Sequence, residues 1–136
     1  MTNSEVVAPN GYFEPHSSES EDFAVRIINL YKFLKYSKNE CVMSVQCLRS
    51  GTSIGANVQE AICAISRKDF LAKMYIAFKE SRETKYWLRL LYKTGYIEKK
   101  SYESILADCD EILAILSSIT KTTACSKNQK RCEDEE

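Results

Sequence analysis

Three groups of residues carry types and spacings that could do chemistry. The first is RSGTSIGANVQEA at residues 49–61, where Ser50, Gly51, Thr52, Ser53, Gly55 and Asn57 crowd together. A stretch so rich in glycine and hydroxyls could cradle a phosphate with its backbone amides. That chemistry needs G-x-x-x-x-G-K-[ST], in which amides and a lysine converge on the phosphate oxygens. Here Gly51 and Gly55 are four apart and Ala56-Asn57 follow, so the phosphate loop is set aside. A dinucleotide fingerprint, three glycines after a strand, is missing as well.

The second group is Glu60, Glu80 and Glu83, which could converge as an acid–base pair. The competing reading is the stronger one: structural carboxylates or surface ion pairs, because charges in a fold usually find partners there. The single histidine, His16, lies in the polar N-terminal segment. A di-iron bundle needs Glu-x-x-His on two helices, and a serine or cysteine nucleophile needs a base. The six cysteines are Cys41, Cys47, Cys63, Cys109, Cys125 and Cys132, with no C-x-x-C pair. Cys47, Cys63 and Cys109 fall at apolar positions, where a thiol acts as a small hydrophobe. No catalytic residue, metal or cofactor is expected.

The third group is Tyr75, Lys79, Arg82, Tyr86, Arg89 and Lys93. They follow steps of four and three, so they share one face of a helix. Aromatics interleaved with cations suit phosphate contacts plus base stacking. The plainer alternative is a solvated face with lysine and arginine stems lying over tyrosine rings. Total charge does not decide between them, since 19 basic residues balance 19 acidic ones. Taken alone, the pattern favours the plainer alternative, and the distribution of charge keeps the first open. Residues 38–100 hold 12 basic against 6 acidic residues, and the balance returns in an acidic stretch near 103–111 and the EDEE end.

The elements that must position these groups are helices. Residues 1–19 hold both prolines and several serines, and are expected to be a flexible arm. Residues 122–136 are expected to be a polar, acidic-ended flexible tail. Between them, residues 20–121 make one domain of four helical patterns with no strand. The first helix spans about 20–36, capped by Ser20, with Phe23, Ile27, Leu30 and Leu34 as its stripe. The second spans about 39–64, and Cys47, Gly51, Ile54, Val58, Ala61 and Ile65 keep their register through the glycines. The third spans about 67–94, opened by the Ser66/Asp69 capping box and stopped by Gly95. Its stripe is Phe70, Met74, Ala77, Ser81, Thr84, Leu88 and Leu91. The fourth, capped by Ser101, runs to about Lys121 with Tyr102, Ile105, Cys109, Ile112, Leu116 and Ile119 inward. Short connections imply antiparallel neighbours, an all-α up-down-up-down four-helix bundle. The N-terminus lacks a basic region followed by an apolar run, and no run approaches ~18 apolar residues. A cytoplasmic protein with reduced thiols and no membrane contact is expected.

SGTSIGANVQEA resembles the S-I-x-A-N-I-x-E-[AG] signature of the four-helix bundle family named after proteins encoded by 23S rRNA intervening sequences. FLAKMYIAFKESRETKYWLRLLYKTGYI resembles its other signature: an Ile-Ala, a Lys-Glu-x-x-Glu-Thr-x-x-Trp-Leu run and a closing Gly-Tyr. The resemblance covers roughly residues 20–120. It places the family motif on Ser53, Ile54, Ala56, Asn57 and Glu60, and on Ile76, Ala77, Glu80, Glu83, Thr84, Trp87 and Leu88. With Gly51, these look like packing and interface positions. The resemblance implies a ring-like homo-oligomer, a homopentamer. It also implies kinship with accessory variability proteins of diversity-generating retroelements, which bind a reverse transcriptase and RNA through basic outer surfaces. Those relatives are basic, whereas this chain is balanced. The resulting expectation is a non-enzymatic adaptor that binds RNA, RNA/DNA or a reverse transcriptase through its basic face. The alternative is a structural or interaction protein that binds no nucleic acid.

Two expectations concern 49–61 itself. Gly51, Gly55 and Ala56 should form one small-residue patch for close helix approach. Ser53, Asn57 and Glu60 should form a polar cluster with the third helix through Glu83.

Overall fold

The computed structural model describes residues 17–134, with side chains described through residue 121. Four helices make a bundle, and no strand occurs among the described residues. They are α1 (Ser17–Ser37), α2 (Met43–Ile62), α3 (Arg67–Lys93) and α4 (Lys99–Asp134). Each helix packs on the next, and α1 also touches α4, the slightest of the four contacts.

The third helix shows how local chemistry and periodicity agree. The Ser66 hydroxyl accepts the Asp69 backbone N–H at 3.1 Å, satisfying an otherwise orphaned first-turn donor. All seven residues of the expected stripe, from Phe70 to Leu91, are buried. Gly95 adopts a left-handed φ of 87°, and the Gly95 and Tyr96 amides donate back to the Tyr92 and Leu91 carbonyls. That pair of bonds closes the helix and turns the chain into α4.

Gly51 is where the second helix comes closest to the first. A Cβ built there would lie 2.8 Å from Ile27 Cγ2 and 2.9 Å from Ile27 Cγ1. Ile27 is β-branched and fully buried, so it has little freedom to retreat. Gly55 sits more loosely, with a Cβ 3.4 Å from the Ser20 hydroxyl. The glycines cost helix propensity of about 1 kcal/mol each against alanine, and at Gly51 that cost gives α1 its seat.

Several expected boundaries move. Residues 17–19, placed in the arm, begin α1. Ser20 is buried inside that helix, donating to the Ser17 carbonyl, and is not its cap. The first four residues of the expected second helix belong to its entry turn, where Asn39 has a φ of 53°. The cap there is Glu40, whose carboxylate accepts the backbone N–H groups of Val42, Met43 and Ser44 at 3.0, 2.9 and 2.7 Å. Burial alone would raise its pKa, but the three amides win and hold it below the usual glutamate value. At its other end α2 stops at Ile62, so Ile65 leaves the stripe and is 97% exposed. Cys63, also expected among apolar positions, is exposed. Ser101 lies in the first turn of α4 instead of capping it. That helix continues past Lys121 to Asp134, across the stretch the composition assigns to a tail. Residues 1–16, with His16, and the side chains of Cys125, Cys132 and the EDEE end lie outside the described residues.

Candidate nucleic-acid interface

The buried stripe of α3 fixes what its opposite face must hold. Tyr75, Lys79, Arg82, Tyr86, Arg89 and Lys93 all emerge on the outside of that helix, and all six are exposed. Tyr75 and Tyr86 keep 51% and 46% of their surface in solvent, so rings as well as charges are presented. The Lys79 ammonium stands 5.2 Å from the Tyr75 ring centre, and the Arg89 guanidinium 5.9 Å from that of Tyr86. Arg82 lies 5.7 Å from the ring centre of Phe78, which stacks against Tyr75 at 6.2 Å. Tyr86 meets Trp87 edge-on at 5.3 Å. The result is one ribbon of rings and cations.

None of the four ribbon cations has a carboxylate within 4.0 Å among the described residues. Several cations elsewhere do. Arg26 pairs with Asp108 at 2.5 Å, Lys73 with Glu60 at 2.8 Å and Lys85 with Asp110 at 2.7 Å. Arg49 pairs with both Glu80 and Glu83. The ribbon's charge therefore remains free to meet an external anion.

The three candidate acid–base carboxylates are accounted for by these pairs. Glu80 and Glu83 share Arg49, and Glu60 is held by Lys73. The expected cluster of Ser53, Asn57, Glu60 and Glu83 does not form. Ser53 donates to the Arg49 carbonyl at 2.7 Å, Asn57 to the Ser53 carbonyl at 2.8 Å, both within α2. Ala56 is exposed, so it does not share the close-approach face of Gly51. Ile54, Ala77, Thr84 and Leu88 of the family motif are core residues, while Ile76 and Trp87 are half-buried. The Trp87 indole N–H is buried without an acceptor among the described residues.

The polar link between α2 and α3 lies one position away from the expected one. Thr84 Oγ1 donates to Ser50 Oγ at 2.9 Å, and Ser50 donates to the Cys47 carbonyl at 3.3 Å. Both residues are fully buried. Burial also pushes the thiols of Cys47 and Cys109 up to about 12, so both stay protonated and unreactive near neutral pH. Among the described residues no group of three or more His, Cys, Asp or Glu is placed to hold a metal. Nor is any described helix long and apolar enough to cross a membrane.

A second set of cations and rings, which the periodicity argument passed over, closes α1. In YKFLKYSK at 31–38, Lys35 lies 5.7 Å from the Tyr31 ring centre and 5.4 Å from that of Tyr36. Lys38 lies 5.8 Å from that of Phe33. The alternation was visible in the sequence, but Leu34 in its middle drew the stretch into the core stripe.

Fold and surface together define a four-helix bundle whose third helix presents an uncommitted cation–aromatic face. A family model described as 23S rRNA-intervening sequence protein matches residues 17–118, and the chain belongs to that family. It is similar to a crystal structure of a protein of unknown function from the S23 ribosomal protein family of Bacteroides thetaiotaomicron. The two are 57% identical over 77% of this chain and 94% of that one, with a TM-score of 0.76. Comparison with curated proteins finds no match.

Proposed function

We propose that this protein is a non-enzymatic, self-assembling adaptor that binds RNA through the outer face of α3. The observation that carries this reading is the ribbon: six exposed side chains, four of them cations with no carboxylate partner among the described residues. Free cations attract phosphates, and adjacent rings offer faces on which bases stack. The family's name, which refers to 23S rRNA, and the ribosomal family name of the similar structure favour RNA over other polyanions. A reverse transcriptase, an RNA/DNA hybrid or both belong to the same reading through the resemblance to retroelement accessory proteins.

Assembly is the second element. Short connections between packed neighbours support an up-down-up-down order. Val25 and Ile28 on α1 and Val45 on α2 are large apolar side chains left in solvent, and the Trp87 N–H lacks an acceptor among the described residues. A second copy of the chain can cover the first and satisfy the second. In a ring, a homopentamer by family resemblance, five ribbons would act together and raise a weak affinity by avidity. The balanced total charge favours the alternative, a purely structural protein. A titration of structured RNA at rising salt separates them. The adaptor binds at low salt and weakens steeply as salt rises, whereas the structural protein shows no shift at any salt. Arg82→Glu with Arg89→Glu abolishes binding and leaves the assembly intact.

A further inference from the structure

The C-terminal end of α1 and the turn that links α3 to α4 border a cavity of about 420 Å³ that opens to solvent. Phe33 and Tyr96 supply two aromatic walls, and Leu30 and Ile97 add apolar surface. Lys38, Glu98 and Ser101 bring a cation, an anion and a hydroxyl to the same space. Past Ser101 it continues along α1 into a shallower cleft that reaches Arg26 and Asn29.

Three features of this cavity have a chemical meaning together. Its volume falls within the range of small-ligand sites, about 300–1,000 Å³. Lys38 and Glu98 line it together, yet they do not pair, and neither has another ion-pair partner within 4.0 Å among the described residues. Opposite charges that face one cavity without meeting leave room for a ligand that answers both. Two aromatic lining residues answer a flat, polarisable ring. A nucleotide meets all three demands. Its base stacks on Phe33 and Tyr96, its phosphate meets the Lys38 ammonium, and an exocyclic amino group on the base donates to the Glu98 carboxylate.

We propose that this cavity is a nucleotide subsite with a preference for amino-bearing bases, guanine, cytosine or adenine, over uracil. The ligand is a free 5′-nucleotide or the unstacked end of a strand. The second source rests on the ribbon reading: the ribbon's last cation, Lys93, is two residues before Gly95, which lines the cavity. The first source does not depend on it.

The test is equilibrium dialysis of the full chain against 5′-GMP, 5′-CMP, 5′-UMP and inorganic phosphate. Saturable binding of GMP and CMP, with UMP weaker, is the expected result. Phe33 is 45% exposed and Lys38 is a surface residue, so substitutions there leave the fold intact, as circular dichroism would verify. Phe33→Ala and Lys38→Glu each weaken GMP binding by about tenfold or more. Glu98→Gln removes the discrimination against UMP. Arg82→Glu with Arg89→Glu leaves GMP binding unchanged, which separates this site from the ribbon. Competition by a ten-residue RNA identifies the strand end as the ligand, and its absence identifies the free nucleotide. The proposal is overturned if no mononucleotide binds saturably, if phosphate alone binds as well as GMP, or if Phe33→Ala and Lys38→Glu bind as the unmodified protein does.

Discussion

Past its first turn, the six basic residues of α3 meet two fates. Lys73 and Lys85 flank the buried stripe and reach carboxylates on the neighbouring helices, Glu60 on α2 and Asp110 on α4. Lys79, Arg82, Arg89 and Lys93 lie on the far side, where none meets a carboxylate among the described residues and the first three lie over rings of their own helix. The difference is one of angular position. A cation beside the core stripe can bridge to an adjacent helix and spend its charge there. A cation opposite the stripe has no neighbour to bridge to, and its charge stays open to solvent. The flanking cations of α3 thus spend their charge on the neighbouring helices, and its outer face is left for something else.

If that division is right, substitutions toward the packed side cost stability and substitutions on the outer face cost binding. The largest structural effect is expected at Gly51. Gly51→Leu drives a side chain into Ile27 and should cost about 3 kcal/mol, read as a lower urea midpoint. An unchanged midpoint would mean that α1 does not seat on α2 as described. Gly55→Ala, in ordinary contact with Ser20, is expected to be neutral or slightly stabilising by comparison.

Next is Glu40. Removing the cap with Glu40→Ala should cost about 1–2 kcal/mol at neutral pH. Its folded pKa is depressed, so its contribution is full above the ordinary glutamate value of 4.5 and fades as pH falls through the folded one. Urea midpoints of the unmodified protein and the variant should therefore converge in acid. A gap that stays constant to low pH would contradict the capping role.

A smaller loss, about 1 kcal/mol, is expected for Thr84→Val, which keeps the shape and removes the hydroxyl that links α3 to Ser50. A variant as stable as the parent would show that the buried hydroxyl pair sets no preference between α2 and α3. The smallest structural effect belongs to the ribbon. Arg82→Glu with Arg89→Glu should shift stability by no more than about 0.5 kcal/mol per site, since neither side chain has an ion pair to lose. A large drop in its thermal midpoint would place those arginines in the fabric of the fold.

How much of this the sequence disclosed varied with how local the cause was. The α3 stripe, its Ser66 cap and its Gly95 stop were legible because each depends on residues within one helical turn or on an unbroken period. The entry to α2 was misread because Glu40 caps three amides that follow it, while Asn39 before it looked like the natural start. The register at Ile65 ran on in the sequence after the helix had ended, with no glycine or proline to mark the stop. Gly51 was legible as a close approach. That Ala56 faces outward could not be told without knowing which side of α2 meets α1. The partners of Glu60, Glu80 and Glu83 depend on neighbouring helices and residues far apart in the chain, so spacing could not name Lys73 or Arg49. The cavity at the end of α1 combines Phe33 with Tyr96, and only the folded bundle brings them together.

The most direct test sets the two fates of α3 against each other at equal charge. Structured RNA would be titrated, at low salt, with the unmodified protein, with Arg82→Glu/Arg89→Glu and with Lys73→Glu/Lys85→Glu. Each double variant removes two positive charges from α3 and adds two negative ones. The account predicts that the ribbon variant loses binding by about a hundredfold or more, while the paired-cation variant stays within about tenfold of the parent. Equal losses in the two variants, or no binding by the unmodified protein, would contradict it.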